Sequence, residues 1–249
     1  MTSKSRVRAD TALVAAGLAT SRQRAQALIM AGRAYAGGTK IAKAGALIPP
    51  DMGLEVRGRD HPFVSRGGVK LAHGLDHFSI DPKGKIALDI GASTGGFTDV
   101  LLTLGAARVY AVDVGHGQLD WGLRNDDRVV VLERTNARVL DRSLVPDPVD
   151  LIVCDASFIG LATVLPAPMA LAAEAAHLVA LVKPQFEVGK GKVGKGGVVR
   201  DASLREAACE AVCAWLDARP GWRVMGLTPS PITGPKGNVE YLIAARCGI

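Results

Sequence analysis

Four ionisable residues stand where they can act together: Lys70, Asp155, Lys183 and Glu240. Asp155 and Lys183 each directly follow a short apolar run, Leu151 to Cys154 and Leu178 to Val182. Glu240 opens a last apolar run, and Lys70 lies in the helix-like stretch Ser65-Arg66-Gly67-Gly68-Val69-Lys70-Leu71. Two cations and two carboxylates suit the removal of a proton from a poorly acidic hydroxyl, of which a ribose 2′-hydroxyl is an example. An ordinary lysine, with pKa ~10.4, is protonated at neutral pH and cannot serve as the base. A second cation and partial burial favour the neutral amine, whereas neighbouring acids orient it and limit that shift.

A second chemical feature precedes these residues. Ala87-Leu88-Asp89-Ile90-Gly91-Ala92-Ser93-Thr94-Gly95-Gly96-Phe97-Thr98 reads as a strand, a Gly-rich turn and the start of a helix. Glycines let the backbone approach a ligand, and the helix N-terminus adds unpaired amide donors. The next strand ends at Asp113, about 20 residues on, where a carboxylate can accept hydrogen bonds from ribose hydroxyls; an ordinary strand-end acid is the other reading. NAD and S-adenosylmethionine sites share both features. Asp89 just before the turn, and Ser93 where a dinucleotide fold wants its second Gly, favour S-adenosylmethionine. The expected cofactor contacts are Gly91, Ala92, Ser93, Thr94, Gly95, Gly96, Phe97, Asp113 and Asp155. Asn136, after the third strand, reads either as a contact near an adenine or as loop structure.

The elements that position these groups follow from periodicity. Ile86 to Ile90, Val109 to Val112, Val129 to Leu132, Leu151 to Cys154 and Leu178 to Val182 are short β-rich runs separated by amphipathic or Gly/Ala-rich stretches, the pattern of a parallel sheet covered on both faces. Carboxyl ends of such strands line the ligand crevice, and an antiparallel final strand enters from the same edge, so Asp155, Lys183 and Glu240 converge. Leu204 to Asp217 is the clearest helix, with Leu204, Ala207, Ala208, Ala211, Val212, Trp215 and Leu216 on one face and Cys209 and Cys213 on a neighbouring one. Arg223 to Leu227 and Val239 to Ala245 form a closing hairpin. The expected fold is therefore α/β, a doubly wound, Rossmann-like sheet with a small N-terminal α+β module, and its closing hairpin resembles class I methyltransferases more than dehydrogenases.

With 249 residues, 48% hydrophobic and 22% charged, the chain has the composition of an ordinary globular protein. Its net charge of +6 is unevenly placed: residues 1–64 hold ten Lys+Arg against four Asp+Glu, and residues 65–249 hold twenty of each. All of the net charge thus belongs to a first module suited to a polyanion. There Asp10 to Ala16 reads as a short helix stopped at Gly17, and Ser21 caps a second helix closed by Gly32. A Gly37-Gly38 turn and a strand Leu54 to Val56 follow. Arg22, Arg24, Arg33, Lys40 and Lys43 are its candidate polyanion contacts, the other reading being a solvated face; Gly189 to Gly197, with Lys190, Lys192 and Lys195, reads as a loop over a phosphate backbone or as a plain flexible loop.

Several classes are disfavoured. Met1 to Arg24 has no continuous apolar segment of a secretory signal, and the cytoplasm is the expected compartment. Cys154, Cys209, Cys213 and Cys247 have no CxxC spacing and no clustered histidines, which argues against a metal site or disulfide framework. The uncharged stretch Ala156 to Ala173 contains Pro166 and Pro168 and reads as a loop leading into a buried helix rather than a membrane span.

Two resemblances sharpen these expectations. Gly17-Leu18-Ala19-x-Ser21-Arg22-x-x-Ala25-x-x-Leu28-Ile29-x-x-Gly32-Arg33 resembles the small RNA-binding module first seen in the fourth protein of the small ribosomal subunit, with Ala36 and Gly37 where that family usually has Val and Asn. The Gly91-to-Thr98 turn, Asp155-Ala156-Ser157-Phe158, Lys183-Pro184-Gln185-Phe186-Glu187 and Gly194-Lys195-Gly196-Gly197-Val198-Val199-Arg200-Asp201 resemble the haemolysin A or TlyA family, related to FtsJ-like 2′-O-methyltransferases. The resemblance implies a module-plus-linker over 1–64 and an S-adenosylmethionine-dependent methyltransferase domain over 65–249. It implies methylation of ribosomal RNA at a ribose 2′-hydroxyl, with cytidine the usual target. It also implies Lys183 as base, positioned with the ribose by Lys70, Asp155 and Glu240. Family members carry an aromatic residue in the linker, where Phe63 stands here. Alternatives are a membrane-lytic protein, disfavoured by the lack of a cationic amphipathic helix, and an RNA-binding assembly factor with an inactive enzyme domain.

Overall fold

A computed structural model of the chain describes residues 6–19, 21–30, 32–57, 61–189, 191, 193–194 and 196–248, which fall into two compact units, 1–60 and 61–249. Lys190, Lys192 and Lys195 lie outside the described residues.

The first unit runs β1 (Val7–Arg8), α1 (Ala9–Ala15), α2 (Arg22–Met30), β2 (Ala34–Ala36), β3 (Thr39–Lys40), β4 (Leu47–Ile48) and β5 (Leu54–Val56). Helical spacing puts Ala25, Leu28 and Ile29 on the inner face of α2, where they bury against Leu13, Ala34, Ile41 and Ile48. Ser21 caps α2, its Oγ accepting from the Arg24 amide at 3.1 Å. Gly37 and Gly38, both left-handed with φ of 56° and 78°, make the two-residue turn that pairs β2 with β3.

The second unit contains α3 (Gly67–His77), β6 (Ile86–Ile90), α4 (Gly96–Thr103), β7 (Arg108–Val112), α5 (Trp121–Arg124), β8 (Val129–Leu132), β9 (Val149–Cys154), α6 (Leu161–Val164), α7 (Pro166–Met169), β10 (Ala172–Val182), α8 (Pro184–Glu187), α9 (Ala202–Asp217), β11 (Trp222–Pro229) and β12 (Tyr241–Cys247). Its sheet has the order β11-β12-β10-β9-β6-β7-β8, parallel except for β12, which is antiparallel to both neighbours. Alternation divides the core between two faces. Leu88, Ile90, Ile152, Cys154, Leu178 and Ile243 face the α6, α7 and α9 side, whereas Ala87, Leu151, Val153, Val179 and Leu242 face α3 and α4.

Register places the chemistry. Ile90 pairs with both Val112 and Cys154, so the residues after them, Gly91, Asp113 and Asp155, leave the sheet abreast. Val182 pairs with Tyr241, so Lys183 and Glu240 sit one step beyond that pair at the same edge.

Three local expectations are revised. Ala156 to Ala173 holds two four-residue helices, the second opening at Pro166, rather than one buried helix. In α9 the buried residues are Ala208, Cys209, Val212 and Leu216, while Ala207 and Ala211 are exposed and Leu204 and Trp215 half-buried, so the sheet-facing stripe is rotated toward the cysteine side. Strand β10 begins at Ala172, six residues before the apolar run.

Candidate active site

The four ionisable residues meet as two ion pairs at the sheet edge. Lys183 Nζ lies 2.6 Å from Asp155 Oδ1 and donates to the Asp155 carbonyl at 3.1 Å and to Ser157 Oγ at 2.9 Å. Three ammonium hydrogens thus have three acceptors, and the Lys183 side chain is only 7% exposed. Lys70 Nζ lies 2.6 Å from Glu240 Oε2, both side chains buried. Lys70 reaches Glu240 from α3, and the bend at Gly234 fits closely around that carboxylate: a Cβ on Gly234 would fall 2.0 Å from Glu240 Oε1. Gln185, at the start of α8, donates to the same Oε1 at 3.4 Å.

Two cavities open on either side of this pairing. One, of about 240 Å³, is lined by Lys183, Glu240, Gln185, Lys236 and the aromatic pair Phe158 and Phe186, whose ring centroids are 5.2 Å apart. Phe158 is held at φ 67° and is 91% exposed, a large apolar face turned to solvent. The other cavity, of about 380 Å³, lies over the strand ends and is lined by Gly91, Ser93, Asp113, Asn136, Asp155 and Val164 among others. Ser157 and Phe158 border both.

The Gly-rich turn shapes the larger cavity. Gly91 has φ 81°, and a Cβ there would meet the Ala156 backbone at 3.1 Å, so only glycine lets the two strand-end loops lie this close. Asp113 organises the opposite wall, accepting from the Ser93 amide at 2.8 Å and the Gly115 amide at 2.6 Å. Asn136 Oδ1 caps the 3-10 turn Ala137–Val139, and the residue borders the cavity. Thr94 is exposed on the turn. Ala92, Gly95, Gly96 and Phe97 are buried behind it; Phe97 is a core residue of α4 and does not line the cavity. Asp89 is fully buried beneath the turn, and burial pushes its carboxyl up to about 7, partly offset by the Thr98 hydroxyl at 2.7 Å.

The donor set fits a sulfonium nucleoside such as S-adenosylmethionine. Asp113 and Asp155 supply carboxylates for hydroxyls and positive charge, and Val112, Val114, Ile159 and Val164 supply apolar wall, in a volume within the usual range of ligand pockets.

The segment before α3 packs on this unit. Val64 N donates to Asp99 Oδ2 at 2.7 Å, and Phe63 lies where a Cβ on Gly68 would strike its ring at 2.5 Å. In the first unit Arg22, Lys40 and Lys43 are exposed, while Arg24 and Arg33 are half-buried. Arg22 also bridges to buried Asp10 at 3.2 Å; Arg8, Gln26 and Arg22 hold that carboxyl well below the usual range. Lys40 lines a shallow cavity of about 440 Å³ with Arg6, Thr39 and Met52.

Ser157, Phe158 and Gln185 stood inside recognisable strings without a role, and Lys236 and Asn238 stood in a Gly/Pro-rich loop with no signal to mark them. Among the described residues, no group of three or more His, Cys, Asp or Glu could hold a metal, and no helix is long and apolar enough to cross a membrane.

The sheet order, its antiparallel β12 and the acid-flanked Gly-rich turn define a Rossmann-like class I methyltransferase. The model of the FtsJ-like methyltransferase family matches residues 63–247, and the chain belongs to that family. The 16S/23S rRNA (cytidine-2′-O)-methyltransferase TlyA of Mycobacterium tuberculosis is 52% identical over 97% of this chain and 90% of its own length. Hemolysin A of Brachyspira hyodysenteriae is 42% identical over 95% of this chain and 98% of its own. A solved structure from Streptococcus thermophilus, named as a hemolysin, is 40% identical with a TM-score of 0.74, covering 98% of this chain and 89% of that one. The expected resemblance to the haemolysin A or TlyA family is borne out by these relatives.

Proposed function

We propose that the protein uses S-adenosylmethionine to methylate a ribose 2′-hydroxyl, that of a cytidine, in ribosomal RNA. The observation that carries this reading is the Lys183–Asp155 pair placed between the two cavities, with Lys70–Glu240 beside it. Gly91, Ser93, Asp113, Asn136 and Asp155 would hold the cofactor, which supplies an electrophilic methyl group when bound. Ribose enters the smaller cavity, and Glu240 and Gln185 orient its hydroxyls. Asp155 aligns the Lys183 amine, which in its neutral form takes the 2′-hydroxyl proton at Nζ. Phe158 offers a face on which an unstacked base can rest.

The first unit, with Arg22, Arg24, Arg33, Lys40 and Lys43, docks on structured RNA as a ribosomal-protein-like module, and the 52% identical relative named for 16S/23S rRNA supports that substrate. Ribosomal subunits are then the partner and the cytoplasm the place of work. Purified protein with tritiated S-adenosylmethionine and unmodified ribosomal subunits should label RNA at a 2′-oxygen of cytidine. Label confined to bases, or none on RNA, overturns the reading.

A further inference from the structure

The smaller cavity has a wall that comes from a loop rather than from the sheet. Val193 and Gly197 line it opposite Glu240, in a segment where the Gly194 amide donates to the Val198 carbonyl at 3.2 Å and the Gly197 amide to the Gly194 carbonyl at 3.0 Å. Such a Gly-rich turn has little side-chain packing of its own to fix it. Among the described residues Arg205 reaches its far end, donating from Nη1 to the Val199 carbonyl at 3.2 Å and the Arg200 carbonyl at 2.7 Å, and a buried side chain ties its middle. Asn238, 4% exposed, accepts from the Val199 amide through Oδ1 at 3.2 Å and donates from Nδ2 to the Gly197 carbonyl at 2.9 Å.

The same residue is fixed to the catalytic side of the cavity. Its carbonyl accepts the Gly234 amide at 2.8 Å, closing the bend that wraps the Glu240 carboxylate, and it lies two residues before Glu240. The bend is conformationally costly at Lys236, a non-glycine residue at φ 61°, which also lines the cavity. This carboxamide therefore links the loop wall to the bend around the carboxylate that faces Lys70.

We propose that Asn238 is a positioning residue for the nucleotide: by clamping Gly197 and Val199 to the Glu240 bend it holds the loop wall of the cavity in place for the ribose. The inference rests on the reading of this cavity as the RNA ribose site. Both polar ends of the amide are needed, because one partner is an N–H and the other a carbonyl. Asparagine meets that demand and its isostere aspartate does not: a carboxylate oxygen would face the Gly197 carbonyl, two acceptors without a hydrogen between them.

The test uses full-length Asn238→Asp and Asn238→Ala, the second deleting both bonds without adding charge. Loss of such a buried bond should raise KM for ribosomal subunits by about 10- to 100-fold while S-adenosylmethionine affinity stays within about twofold. Deuterium exchange in the peptide 193–200 should speed up in both variants and nowhere else in the sheet. Unchanged KM and unchanged exchange overturn the proposal, as does a parallel fall in cofactor binding and melting temperature, which would make Asn238 a general structural residue. If the wild type fails to methylate RNA, the parent reading falls while the exchange measurement still decides whether Asn238 is the clamp.

Discussion

Replacing Lys183 separates a base from a mere cation. In the structure its Nζ is saturated by Asp155 Oδ1, the Asp155 carbonyl and Ser157 Oγ, all inside 3.2 Å, so to act as the proposed base it must give up a proton and exchange one of these contacts for the substrate hydroxyl. Removing a positioned general base costs about 10²- to 10⁴-fold in rate, and Lys183→Ala should fall in that interval. Lys183→Arg keeps the charge and the Asp155 partner, but a guanidinium does not give up its proton in a protein, so it should be as slow as alanine. Cofactor binding should be no weaker in Lys183→Ala, since a cation beside the sulfonium cavity is gone and Asp155 is left free to face it. The stability cost should stay below about 3 kcal/mol, less than for a fully buried pair, because Asp155 is 22% exposed and water can reach it. Single-turnover transfer of tritium to ribosomal subunits, with calorimetric cofactor titration alongside, measures both effects. If Lys183→Arg keeps more than about a tenth of wild-type rate, Lys183 acts by charge and the base assignment is refuted.

Other perturbations test the surroundings. Gly234→Ala places a Cβ 2.0 Å from Glu240 Oε1, so it should push that carboxylate from Lys70, slow transfer at least about tenfold and cost about 1–3 kcal/mol, read by melting temperature and single-turnover rate. Asp89 titrates near 7 when folded and near ~3.9 when unfolded, so its protonated form contributes stability that is fully present below about pH 4 and lost as pH rises to about 7. The stability difference between wild type and Asp89→Asn should therefore fall by up to about 4 kcal/mol across that window, and a flat difference would refute the burial of this acid. Deleting residues 1–60 removes the unit that carries the net positive charge and should weaken RNA binding and flatten its salt dependence, while S-adenosylmethionine titrates normally. The cut falls at 60 because Phe63 and Val64 pack on the catalytic unit.

What the sequence discloses of this arrangement follows from how locally each part is encoded. β6, β7 and β8 are apolar runs bounded by turns, and their limits are readable within a residue. The first half of β10, Ala172 to His177, is rich in alanine and carries Glu174; it meets β9 only at Ala172 and His177, across a break in register, and β12 from His177 onward, tertiary pairings that propensity does not register. The acids and lysines after strands were legible because a parallel sheet sends every carboxyl end to one edge. The pairing Lys70 with Glu240, across 170 positions, was not, and only the register of Val182 with Tyr241 fixes which carboxylate faces which amine. Asn238 and Ser157 left no periodic trace at all, since each acts by one or two directional bonds from a loop.

The two ion pairs are built with different tolerances, and this bears on their division of labour. Lys70 and Glu240 are almost fully buried, and Glu240 is gripped by the Gly234 bend, so breaking this pair strands a charge in a dry place. Asp155 is partly open and borders the larger cavity, and Lys183 has a hydroxyl, Ser157, among its partners that can give up its place. A proton acceptor must exchange contacts during turnover, whereas a frame must not. The more rigid pair is therefore suited to fix the ribose and the more adaptable one to move its proton, so the Lys183 substitutions should act on the chemical step, whereas neutralising Glu240 should act on substrate affinity and on stability together.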